Sequence, residues 1–91
     1  MKPSQYIQKG WCQHTNAKRH DGSVCAAQDP SAVTWCLSGS LHAAYPNDNG
    51  YRSDLVGKLL LKLGVISLSF WNDRLERTQS DVVKVLQSIG E

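Results

Sequence analysis

A chain of 91 residues, 41% of them hydrophobic, has room for one small domain over 1–91 and too much apolar content to stay disordered. A formal net charge of +2 lacks the strongly basic balance of a dedicated nucleic-acid binder, so nucleic acid is a disfavoured partner. Three cysteines are an odd number for a secreted disulfide scaffold, and no signal-peptide pattern or membrane-length apolar run is visible. Free thiols in the cytoplasm are the expectation.

The first expected element is a short helix over 4–9, with Ser4 as its cap and Gly10 as its stop. Residues 10–28 have loop composition, with one short extended piece at 24–26. Asp29-Pro30 is a helix-start signal, and the pattern predicts a central helix from about 30 to about 45, ending before Pro46. On that helix Val33, Leu37, Leu41 and Ala44 form a bulky apolar stripe. Ala32, Cys36, Gly39, Ser40 and Ala43 form a stripe of small residues beside it. Gly39 in a helix interior costs about 1 kcal/mol against Ala, which implies another element packed very close there. Trp35 and His42 fall on the outer face.

Residues 46–50 form a turn cluster, and Ser53 then predicts a second helix to about 63, ended by Gly64. Its apolar face holds Leu55, Val56, Leu59, Leu60 and Leu63 and leaves Leu61 outside. Alternation over 65–70 predicts an extended strand without an identifiable partner. Thr78 with Asp81 resembles a capping box and opens a last helix over about 79–90, which buries Val82, Val85, Leu86 and Ile89. The expected fold is mainly α, with α+β as the other option: three or four helices around the central helix at 30–45, and one short strand at 65–70.

Three motifs follow one another in order. They are Gly10-Trp11-Cys12-Gln13, then Trp35-Cys36-Leu37-Ser38-Gly39-Ser40-Leu41, then Trp71-Asn72-Asp73 with Arg77-Thr78 and a Val-rich helix. In these the chain resembles a functionally uncharacterised family of small bacterial and bacteriophage proteins with the pattern Cys-x-x-Gly-Ala-Leu, Trp-Asn-Asp, Arg-Thr. The resemblance spans about 10–89 and departs at Ser40, where the pattern has Ala. It implies a mostly helical fold and a phage association. It implies no chemistry.

Cys12, His14, His20 and Cys25 are zinc-type ligands within a short stretch, joined later by Cys36 and His42, but no paired Cys-x-x-Cys spacing is present. No metal or cofactor is therefore expected, with a zinc-stabilised or cysteine-dependent protein as the alternative. No nucleophile motif surrounds any cysteine. Trp71, Asn72, Asp73, Arg77 and Thr78 are read as a structural turn and cap. Trp35, His42 and Leu61, with Trp11, Lys18 and Arg19 of the first loop, are the candidate partner-binding residues. The expected function is a non-enzymatic protein-binding module, in its most concrete form a phage-encoded inhibitor of a host defence system such as an anti-CRISPR. Its partner would be a host or phage protein, or a second copy in a homodimer. Weak nucleic-acid binding through the basic loop 9–20 is a further alternative.

Overall fold

Asp29 organises a turn, not a helix. Its Oδ1 accepts from Ser31 N at 2.8 Å and Ser31 Oγ at 2.6 Å, and its carbonyl accepts from Ala32 N at 3.0 Å. That local bonding competes with a helical start. The residues after it, Ala-Val-Thr-Trp, are mostly β-branched or aromatic and extend into a strand.

The computed structural model describes all residues, Met1–Glu91. In chain order they form helix Pro3–Lys9 (α1), strands Ala17–Arg19 (β1), Val24–Cys25 (β2) and Ala32–Trp35 (β3), and helices Leu37–Ala44 (α2), Asn49–Leu63 (α3), Leu68–Asn72 (α4) and Gln79–Ser88 (α5). The strands make one antiparallel sheet in the order β2-β1-β3. Ala17 faces Cys25 on one side and Trp35 on the other, with a register shift between Lys18 and Arg19.

This α+β architecture corrects the mainly helical expectation. The predicted helix over 30–45 is a turn, a strand and a shorter helix in series. Cys36 is the joint: its Sγ accepts from Gly39 N at 3.3 Å and caps α2 directly behind the last strand residue. The predicted strand over 65–70 is instead the approach to α4 and its first turn, because Ser67 Oγ accepts from Phe70 N at 3.1 Å and turns the chain into a helix. The second helix begins earlier than Ser53, at Asn49, because Asp48 accepts from Tyr51 N at 3.0 Å. The first helix begins at Pro3, and Ser4 is buried with its hydroxyl donating to Glu91 O at 2.7 Å.

Other expectations hold. Gly64 ends α3 at φ 65°. Thr78 and Asp81 form the reciprocal cap of α5, with Asp81 N bonding Thr78 Oγ1 at 3.2 Å and Thr78 N bonding Asp81 Oδ2 at 3.1 Å. Val82, Val85 and Leu86 are buried as the pattern predicts.

The core lies between the helices and one face of the sheet. Ile7, Leu37, Leu41, Leu55, Leu59, Val82 and Leu86 are its largest fully buried apolar members. Trp35 joins them, 6% exposed, with its ring edge-on to Tyr6 at 4.9 Å and its Nε1 donating to Ala27 O at 3.0 Å. Trp11 adds a parallel bridge to Trp35, flanked by Trp35 N to Gly10 O at 3.0 Å and Cys12 N to Trp35 O at 3.2 Å. No helix is long and apolar enough to cross a membrane.

The close approach implied by Gly39 is real, and its neighbour is the segment entering β1. A Cβ at Gly39 would sit 2.0 Å from Asn16 O and 2.9 Å from Asn16 C. Backbone cannot yield cheaply at that distance. Gly39→Ala is therefore expected to lose at least about 3 kcal/mol in urea unfolding, the upper end of overpacking costs, despite the better helix propensity of Ala. An unchanged or raised unfolding midpoint would contradict the packing.

Candidate functional site

The three sequence motifs meet at one side chain. Asn72 is 0% exposed. Its Oδ1 accepts from Trp11 Nε1 at 2.8 Å and from Leu37 N at 3.0 Å. Its Nδ2 donates to Cys12 O at 3.2 Å and to Asp73 Oδ1 at 2.9 Å. The Asn72 carboxamide thus satisfies the first-turn N–H of α2, an indole and a loop carbonyl together, all groups that are costly to bury unpaired.

Around it the loop 10–16 is tied down at several points. Gln13 Nε2 donates to Asn72 O at 3.0 Å and Arg74 O at 2.9 Å. His14 N donates to Asp73 Oδ1 at 2.9 Å, and His14 holds a positive φ of 71°. Its Nδ1 lies 3.8 Å from Asp73 Oδ2. On the other side Arg77 stacks on Trp71, 3.8 Å from the ring centroid, and donates from Nε to Trp71 O at 2.9 Å. The predicted turn-and-cap residues Trp71, Asn72, Asp73, Arg77 and Thr78 all lie in the joint between α4 and α5, Arg77 and Thr78 bonded locally and Asn72 and Asp73 bonded to distant segments of the chain.

His14, Asn16, Cys36, Ser69 and Asp73 line one small groove beside this joint. Its thiol does not favour nucleophilic chemistry. Burial pushes Cys36 from 9.0 up to about 11, and its sulfur is committed as acceptor to Gly39 N and donor to Asn16 Oδ1 at 3.7 Å. Cys12 is also raised, chiefly by burial, and donates to Thr15 O at 3.7 Å. Cys12 and Cys25 are buried while His14 and His20 are exposed, and no group of three or more His, Cys, Asp or Glu side chains converges as a metal site.

The candidate partner-binding residues divide. Trp35 is buried in the sheet, so it does not share an outer helix face with His42. His42 is half-buried on α2, and burial followed by the nearby Arg52 charge lowers its pKa. Leu61 stands 86% exposed on α3. Trp11, Lys18 and Arg19 do line one shallow groove, with His14 and His20. Within it Trp11 is committed to Asn72. Arg19 pins two turns, donating to Ser31 Oγ at 2.9 Å, Val24 O at 2.9 Å and Asp29 Oδ2 at 3.0 Å.

A different apolar surface stands around α4. Ile66 is 100% exposed, Phe70 70% and Leu75 98%. Phe70 and Leu75 border one groove with Ser67, Asp73, Arg74 and Glu76. Two local signals mark this surface in the sequence. Ile66 precedes the Ser67 cap, where an apolar residue ordinarily staples back onto the helix, and Leu75 sits between two charged residues in a polar turn. Neither side chain finds cover within the chain.

A family model described as a family of unknown function, DUF6197, matches residues 4–90. The chain belongs to this family. No curated protein and no solved structure gives a match. The family match takes in all three motifs that converge on Asn72.

Replacing Asn72 tests the joint of this DUF6197 chain. Asn72→Ala leaves the Trp11 indole N–H, the Leu37 N–H and the Cys12 carbonyl without partners, at about 1–3 kcal/mol each where burial persists. The expected loss in urea unfolding is about 3–5 kcal/mol, and a loss below about 1 kcal/mol would contradict the assignment. The thiols give a second test. With Cys36 raised from 9.0 to about 11, the folded protein at pH 8 has roughly a hundredfold less Cys36 thiolate than the unfolded chain. Alkylation followed by peptide mass mapping should be slow in buffer and fast in urea. Because the folded pKa is the higher one, this thiol's contribution to stability is complete below pH 9 and is lost as pH rises towards about 11. Equal alkylation of Cys36 in both states at pH 8 would overturn its role as a buried cap.

Proposed function

We propose that this protein is a non-enzymatic protein-binding module that docks a partner through the apolar surface around α4. The observation that carries the reading is the exposure of Ile66, Phe70 and Leu75 on a segment held rigid from beneath by Trp71, Asn72 and Arg77. Large apolar side chains clustered on a fixed scaffold form docking surfaces, since little ordering entropy remains to be lost on binding. Asp73, Arg74 and Glu76 supply a polar rim of both signs. The partner that fits is an apolar-faced segment of another protein, with Phe70 as the aromatic anchor. The raised, hydrogen-bonded thiols of Cys12 and Cys36 support a binding role over cysteine-dependent catalysis.

The motif resemblance extends this to a host or phage protein as partner and to a phage-encoded inhibitor of host defence, such as an anti-CRISPR. That extension rests on the resemblance alone. Its test is whether expression of the protein restores infection in a host whose defence system otherwise blocks it. A host equally resistant with and without the protein sinks this version and leaves the docking surface standing.

The docking surface is tested by Phe70→Ser with Leu75→Ser. Both side chains are exposed, so the double variant should keep its thermal midpoint within a few degrees of the parent. A partner retained by the parent protein in cross-linking pull-downs should be lost by the variant. Equal retention by the two proteins contradicts the reading. A parent mass that doubles in light scattering, and is restored to one chain by the variant, would assign the surface to a homodimer instead.

A further inference from the structure

The groove between α2 and α3 is cationic and has no acid in its wall. Ser38 and His42 face it from α2, and Asn49, Arg52 and Ser53 face it from the first turns of α3. Leu41 and Val56 form an apolar part of the lining. The cavity holds ≈ 360 Å³, within the range of small-molecule sites. The Arg52 guanidinium is fixed there by neutral acceptors, with Nη1 donating to Tyr45 O and Nη2 to Asn49 Oδ1. It belongs to none of the ion pairs of the molecule, which involve His14, Arg19, Arg74 and Arg77. The nearest acids in sequence, Asp54 and Asp48, do not line the groove, and Asp48 is turned to capping Tyr51 N.

A positioned guanidinium without a counter-ion, ringed by hydroxyl, amide and imidazole groups, matches the needs of a tetrahedral oxyanion, whose several oxygens each seek a donor. We propose that this groove binds the phosphoryl group of a small organic phosphomonoester, with Arg52 as its charge partner and Leu41 and Val56 against its apolar body. Ser38, Ser53, Asn49 and His42 supply the remaining donors. The site uses none of the apolar residues around α4, so failure of the docking surface and failure of this site are separate results.

The test is titration of ¹⁵N-labelled full-length protein with phenyl phosphate, inorganic phosphate and phenylacetate at low salt. Phenyl phosphate should give saturable shifts centred on the amides of Ser38, His42, Arg52 and Ser53, and should bind at least about tenfold more tightly than either of the other probes. Arg52→Gln should weaken phenyl phosphate at least about tenfold. Because Arg52 also holds the Tyr45 carbonyl, Ser53→Asp provides a second variant: Ser53 is exposed, and a carboxylate placed there should abolish binding in a folded protein. Absence of saturable shifts with phenyl phosphate overturns the site. Equal binding of inorganic phosphate or phenylacetate overturns the phosphomonoester assignment. Unchanged binding in folded Ser53→Asp overturns the location.

Discussion

A primary carboxamide can donate twice and accept at two lone pairs without carrying charge, and Asn72 uses that capacity where no regular structure reaches. The sheet ends at Trp35, α2 begins at Leu37, and the loop 10–16 crosses between them. Their facing groups include an indole N–H, a helix-start N–H and a loop carbonyl. No hydrophobic residue could satisfy these, and a carboxylate could only accept. With Asn72 in place, β3, α2, the first loop and α4 are locked into one arrangement, and Arg77 stacked on Trp71 aligns α5 behind it.

The consequences reach the surface. Because Asn72 is the last residue of α4, the residues just before and after it have little freedom, and Phe70 and Leu75 are presented to solvent on a fixed frame. The same joint explains the cysteines. Cys36 must be small, buried and able to accept a hydrogen bond, because it fills the single position between the end of β3 and the start of α2. A sulfur in that position is a helix cap, and burial keeps it protonated. Gly39, one turn on, makes room for the Asn16 backbone that enters the central strand. Cys36 and Gly39 thus answer geometric demands set by the chain crossing beside them.

Much of this could be read locally and some could not. The last helix was legible because Thr78, Asp81 and a 3.6-residue apolar period all agree. The tight contact at Gly39 was legible because a glycine in a helix needs a reason. The break inside 30–45 was not: Asp29-Pro30 is a sound helix-start signal, and Val33, Leu37 and Leu41 keep helical spacing. What overrode them was tertiary, the pairing of Ala32–Trp35 with a three-residue strand whose composition reads as loop. The segment 65–70 failed for the opposite reason. Its alternation fits a strand, but a Ser67 side-chain cap needs no distant partner and prevailed. Trp71-Asn72-Asp73 was legible as a joint, whereas the role of Asn72 was not, since its partners lie about 35 and 60 residues away in the chain. The exposed Ile66 and Leu75 were marked only by their places, before the Ser67 cap and between Arg74 and Glu76, and Arg52 carried no signal at all.

The central claim is that Asn72 couples the three motif segments into one cooperative unit, and native-state hydrogen exchange addresses it directly. If the coupling holds, the Trp11 indole N–H and the Leu37 amide exchange only through global unfolding. Their opening free energies then equal those of the buried Val82 and Leu86 amides in α5, and fall in parallel with them as denaturant is added. Exchange of the Trp11 and Leu37 protons with an opening energy several kcal/mol lower, and insensitive to denaturant, would show that the joint opens by itself and would contradict the account.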